Sequence, residues 1–144
     1  PVMRILSFKY PWSQAIVEGL KDVENRDWKT AYRGPLAIHQ SKASHWSDYT
    51  DFGEVARRGG VDPVTIDRIT KREAGWPGAI VGVVDLVDCV TASTSPWFFG
   101  HAGFVLASPR RLPRPIHCRG QLGIRPLPAD IAAEIAAQFE EAAA

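Results

Sequence analysis

Only two of the 144 residues are cysteine, Cys89 and Cys118. That excludes a disulfide scaffold. A chain of this length needs none, because roughly two-thirds of its unfolded surface can be buried in one domain. Two cysteines of this kind are expected to pack as free thiols, with no intramolecular disulfide. Long hydrophobic runs are missing too: no window approaches the ~18 to 20 uncharged apolar residues of a spanning helix. Residues 1–10 also lack the basic-then-apolar build of a secretory signal, so the expected setting is cytoplasmic and away from membranes. Charge of one sign is in short supply, since 17 Lys+Arg against 16 Asp+Glu leave a net charge of +1. Nucleic-acid binding must therefore rest on where the charges sit rather than on their sum.

Metal spacing is absent as well. His39 and His45 stand six apart, and adjacent His117 and Cys118 would point to opposite faces of a strand. No metal or cofactor is expected. A Gly-x-Gly-x-x-Gly turn and a Gly-rich loop ending in Gly-Lys-Ser/Thr are both lacking, which removes the usual phosphate cradles.

What is present reads as six or so short strands interrupted by Gly and Pro, with helices at the start, middle and end. Residues 4–8 form a strand, and Pro11 opens a helix carrying Trp12, Ala15, Ile16 and Leu20 inward until Gly19 closes it. Residues 22–28 alternate as a strand with one strongly polar face, and 36–39 form a short apolar strand after the Arg33-Gly34-Pro35 turn. From 44 to 58, Trp46, Tyr49, Phe52 and Val55 step by three and predict a helix stopped by Gly59-Gly60. Asp62 and Pro63 cap and open a second helix, with Ile66 and Ile69 inward until Gly75. Residues 79–90 are apolar enough for a central strand. Another strand covers 104–106, after which Pro109, Pro113 and Pro115 are expected to break the chain before 116–118. A last helix opens at Pro128 and Asp130, with Ile131, Ile135 and Phe139 completing the core. No repeats or linkers appear, so residues 1–144 are read as one α+β domain with a small curved sheet or barrel.

The chemistry concentrates in Lys21-Asp-Val-Glu24-Asn-Arg26-Asp-Trp28-Lys29, followed by Arg33 and by His39-Gln-Ser41-Lys42. On an extended strand Glu24, Arg26 and Trp28 project from one face at ~6.6 Å intervals. A carboxylate and a guanidinium read hydrogen-bonding edges, an indole stacks on a ring, and Lys21, Lys29 and Lys42 neutralise nearby phosphates. The plainer alternative is a surface ion pair of Glu24 and Arg26, with Trp28 covering the hydrophobic rim. Likewise, Lys21 alone can serve a helix C-terminus, His39 can be a satisfied core histidine, and Ser41-Lys42 is a short nucleophile-and-base pair.

These residues resemble the ASCH domain family. The resemblance runs through Leu6-Ser7-Phe8-x-x-Pro11-Trp12, Ile16-x-x-Gly19-x-Lys21-x-x-Glu24-x-Arg26-x-Trp28 and Tyr32-Arg33-Gly34-Pro35-Leu36-x-Ile38-His39-x-Ser41-Lys42. It continues through residues 78–89, Trp97-x-x-Gly100 and the Arg119-Gly120-Gln-Leu-Gly123 turn. It implies a PUA-like β-barrel with flanking helices and a cleft beside the strand bearing Lys21, Glu24 and Arg26. The family is associated with RNA or nucleotide binding. Some small bacterial members remove the acetyl group of N4-acetylcytidine with a Lys, a Thr and a distant Glu, and ribonuclease activity is ascribed to others. Lys21 matches that Lys by its place after Gly19, whereas Glu24 stands at the Thr position.

The resulting expectation is a domain that binds RNA or a modified nucleoside in a cleft and hydrolyses it. The alternative is a non-catalytic RNA-binding module. Lys21, Glu24 and Lys42 are the candidate catalytic residues, and Trp12, Arg26, Trp28, Arg33, His39 and Ser41 the candidate binding residues. Should a polynucleotide bind, Lys29, Arg33, Lys42, Arg110, Arg111 and Arg114 are the expected phosphate partners.

Overall fold

The computed structural model describes residues 2–42, 44–72 and 75–144. The chain runs through β1 (Arg4–Phe8), α1 (Trp12–Val17), β2 (Val23–Arg26), β3 (Gly34–Gln40), α2 (Trp46–Arg58), α3 (Pro63–Thr70), β4 (Ala79–Val90), β5 (Ala102–His117), β6 (Arg125–Pro126) and α4 (Ala129–Ala143). One mixed sheet results, in the order β2-β5-β4-β3-β1-β6. β1 and β3 are parallel, and the other pairs are antiparallel.

Alternation in the strands explains how the layers stack. Leu6 and Phe8 of β1 and Leu36 and Ile38 of β3 face one core with Ile16 and Val17 of α1. Ile5 and Ala37 face the opposite side, where Ile135 of α4 is buried and Ile131 and Phe139 pack beside it. A third cluster joins Phe52, Val55 and Ala56 of α2 to Ile69 of α3, Tyr10 and Trp97. The α2 helix begins two residues later than its spacing predicts, because the His45 side chain accepts from the Ser47 amide and Asp48 bonds back to the His45 amide. Asp62 caps α3 as expected, but that helix ends at Thr70.

Two expectations are corrected. The sheet is not a closed barrel: β2 and β6 are its edges, and β6 is only two residues long, one of them Pro126, which lacks an N–H. The sheet nevertheless curls strongly, since Arg26 on β2 reaches the carbonyl of Ser7 on β1, four places away in the strand order. Nor do the prolines divide β5. They fall in its irregularities, where no ladder bond is required of them. Ser108, at φ 52°, and Pro109 form one bulge between Ala107 opposite Asp85 and Arg110 opposite Val83. Residues 112–115 form a wider one between Arg111 opposite Gly82 and Ile116 opposite Ile80. Among the described residues no helix is long and apolar enough to cross a membrane.

Candidate nucleobase cleft

The loop after α1 sets the site. Gly19, at φ +79°, adopts a conformation that side chains resist, and it turns the chain so that the amides of Leu20 and Lys21 both bond the carbonyl of Ala15. Lys21 is thereby driven inward and left 4 % exposed, its amine donating to the carbonyl of Val23. Nζ lies 3.6 Å from Glu24 Oε1 and within 6 Å of two indole faces, 5.3 Å from Trp12 and 5.7 Å from Trp97. Burial holds this amine below the usual lysine range, with Glu24 opposing the shift.

Glu24 sits between two cations. Its Oε2 accepts from Arg26 Nε at 3.1 Å and from Nη2 at 3.0 Å, while Oε1 faces Lys21. The same Arg26 Nη2 donates to the carbonyl of Ser7 at 2.8 Å, and the guanidinium lies 5.5 Å over the ring of Phe8. Its plane is therefore fixed from β1 and β2 together.

These groups line a cavity of about 790 Å³ with Ser7, Trp12, Asn25, Ser41 and Phe99. The opposite wall is α2, which presents Asp48, Asp51, Glu54 and Arg58. Among the described residues of the lining charge balances: Lys9, Lys21, Arg26 and Arg58 face Glu24, Asp48, Asp51 and Glu54. Trp12 donates its indole N–H to Asp48 at 3.1 Å, which ties that wall to α1. Asn25 secures the mouth, donating to the carbonyl of Trp97 at 2.8 Å and accepting from the amide of Phe99 at 2.7 Å. Phe99 is left 49 % exposed at the cavity.

A second, smaller cavity of about 450 Å³ shares Ser7 and Ser41 with the first and is lined also by His39, Lys42, Cys118, Arg119 and Gly120. Among the described residues no carboxylate lines it.

Of the residues singled out from the sequence, Trp12, Lys21, Glu24, Arg26 and Ser41 meet in the first cavity, and His39, Ser41 and Lys42 in the second. Two are elsewhere. Trp28 follows the end of β2, loses the strand's alternation and packs edge-on against Phe104 at 5.1 Å. Arg33 lies 3.6 Å from Asp88 and donates to the carbonyls of Thr30 and Tyr32. The expected phosphate-binding arginines are likewise paired, Arg110 with Asp85, Arg111 with Glu18, and Arg114 with Glu134 and Glu141. Sequence reasoning missed Ser7, Asn25, Phe99 and the acidic wall of α2. A signal for the last was present, since Asp48, Asp51 and Glu54 recur every three residues on one helix. Among the described residues no group of three His, Cys, Asp or Glu side chains could hold a metal ion.

The model of the ASCH domain matches residues 6–104. This chain belongs to the ASCH domain family. Among solved structures, the ASCH protein from Zymomonas mobilis is 15 % identical, with a TM-score of 0.55 over 94 % of this chain and 94 % of that one. A tyrosine-to-phenylalanine variant of it matches at 13 % identity and TM-score 0.55, covering 95 % and 98 % of the two chains. A serine-to-alanine variant matches at 14 % and 0.54, covering 94 % of each. At such identities the likeness is one of fold, an ASCH fold of the PUA-like kind. No curated protein matches the chain significantly. The ASCH match spans Trp12, Lys21, Glu24, Arg26 and the α2 wall, whereas residues 118–122 of the second cavity lie beyond it.

Proposed function

We propose that the first cavity takes the base of a modified pyrimidine nucleoside and that the protein hydrolyses an acyl group from it. The charge balance of the lining supports this reading. Four cations facing four carboxylates offer a polyphosphate chain no net attraction, yet they present many fixed donors and acceptors to a neutral heterocycle. Arg26 and Glu24 read the edge of the base, and Phe99 or Trp12 stacks on its face. Lys21, held against solvent beside the base, stabilises the oxyanion that develops when the acyl carbon becomes tetrahedral. With Oε2 engaged by Arg26, Glu24 orients these two cations rather than taking a proton.

A second reading is kept because of the neighbouring cavity. Lys42 and Arg119 there have no carboxylate beside them among the described residues of the lining, so a strand of RNA could place a phosphate on them with its base in the first cavity.

Incubation with a panel of acylated pyrimidine nucleosides and labelled single-stranded RNA, followed by product analysis, separates the two. Hydrolysis should release a carboxylic acid and the free nucleoside, and Lys21→Ala and Arg26→Ala should each slow it by about 10²-fold with the fold intact. Nucleoside affinity should change little between ~50 and ~200 mM salt, whereas RNA contacting several phosphates should bind far more weakly at the higher value. No product from any nucleoside, together with steeply salt-dependent RNA binding, replaces the hydrolase with the RNA-binding module.

A further inference from the structure

Ser7, which borders both cavities, and His39, which lines the second, are paired as a hydroxyl and its base. Ser7 and His39 are register partners on the parallel strands β1 and β3, so their side chains leave the same face of the sheet. Ser7 Oγ is 3.0 Å from His39 Nδ1, and His39 Nε2 is 3.0 Å from the carbonyl of Cys118. A carbonyl oxygen can only accept, so Nε2 carries the hydrogen. In the neutral ring Nδ1 is then the acceptor, and Ser7 Oγ–H donates to it.

The surroundings keep that arrangement rigid and accessible. His39 is 3 % exposed, whereas Ser7 is half-buried and borders both cavities. Arg26 fixes Ser7 through its carbonyl, 2.8 Å away. At Gly120 the chain passes so close that an added Cβ would lie 2.8 Å from His39 Cε1 and 3.1 Å from Ser7 Oγ. Any side chain there would displace the pair. A base oriented by a carbonyl acceptor and bonded to a hydroxyl at the edge of a cleft is the arrangement that activates a weak oxygen nucleophile.

We infer that Ser7 is the nucleophile and His39 the general base for acyl transfer from a ligand seated in the first cavity, an inference that rests on the hydrolase reading above. As Ser7 Oγ bonds to the acyl carbon, its proton passes to His39 Nδ1 and the carbonyl electron pair moves to oxygen. Collapse breaks the bond between the acyl carbon and the exocyclic nitrogen of the base, and His39 returns the proton to that nitrogen. Water then attacks the acyl-serine, giving its proton to His39. The ester bond breaks, the carboxylic acid leaves, and the proton is restored to Ser7 Oγ.

An alkyl fluorophosphonate tests the pair independently of the natural substrate, because an activated serine displaces its fluoride and keeps the phosphoryl group. Intact-mass and peptide analysis of the folded protein should find one adduct, on Ser7. The adduct should be absent in Ser7→Ala and form at least about 10²-fold more slowly in His39→Gln. A bridge that only pins β1 to β3 would leave Ser7 unlabelled. Nucleoside binding is titrated on the same samples. Binding with no adduct, an adduct on Ser41 instead, or labelling undiminished in His39→Gln overturns the nucleophile and leaves the cleft reading standing. Labelling of Ser7 in a protein that binds no nucleoside keeps the nucleophile and removes the nucleobase. Should His39→Gln fail to fold, the wild-type mapping and Ser7→Ala decide the matter.

Discussion

Phe99 shows how a residue becomes available to a ligand by being excluded from the core. Trp97 and Phe98 on the same loop pack inward, while Asn25 holds the amide of Phe99 and the carbonyl of Trp97 and so fixes where the third aromatic emerges. A half-exposed phenyl ring costs little stability to remove, since it fills no buried volume. Its face at the cavity is what a base would stack on. Phe99→Ala should therefore weaken nucleoside binding by about 1 to 3 kcal/mol while leaving the unfolding midpoint within about 0.5 kcal/mol of wild type. Parallel calorimetric titration and urea denaturation measure the two. Unchanged affinity would assign the stacking wall to Trp12, whose indole N–H is already committed to Asp48.

At the scale of elements the decisive contact is where α1 lies on β4. Gly82 of β4 leaves no room for a side chain: an added Cβ would fall 2.5 Å from the carbonyl oxygen of Arg110 and 2.5 Å from Val17 Cγ2. One of these is backbone of β5, so relief requires moving a strand or lifting the helix. Gly82→Ala should cost about 1 to 3 kcal/mol in urea unfolding, and cleft binding should weaken with it, because Val17 leads directly into the Gly19 turn that places Lys21. A midpoint equal to wild type would show that the contact yields freely. The same element explains what the sequence could reveal. Strong local signals made β1, β4, the Gly19 stop, the Asp62 cap and the Lys21, Glu24 and Arg26 row legible. The continuity of β5 was not legible, because whether a proline interrupts a strand depends on bulges in the pairing, and pairing partners lie far away in the chain. Trp28 misled for a related reason: period-2 reasoning held only while the strand lasted, and β2 stops at Arg26. Ser7 was invisible as a nucleophile, since its partner His39 becomes a neighbour only through the parallel pairing of β1 and β3.

For the molecule as a whole, Glu18 is the charge that ties separate parts together. From the end of α1 its carboxylate accepts two bonds from Arg68 of α3, at 3.0 and 2.6 Å, and one from Gln14 at 2.6 Å, and it lies 3.8 Å from Arg111 of β5. Its side chain is only 16 % exposed. Burial alone would raise the carboxyl above its ordinary 4.5, but the bonds from Arg68 and Gln14 and the charges of Arg68 and Arg111 outweigh burial and hold it lower. A carboxylate depressed in the folded state contributes stability that is fully present above its unfolded value and is lost as pH falls through the folded one. Glu18→Gln keeps the shape and removes the charge, leaving Arg68 with a weaker acceptor. At pH 7 the variant should be less stable than wild type by about 1.5 to 3 kcal/mol, the range for hydrogen bonds to charged groups. The difference should begin to narrow as pH drops below 4.5 and disappear once Glu18 is protonated in both states. Urea unfolding of both proteins from pH 7 to pH 3 measures it. A difference that stays constant over that interval would mean that Glu18 acts through its shape and hydrogen-bond count alone, and that α3 and β5 are held to α1 by packing rather than by this charge.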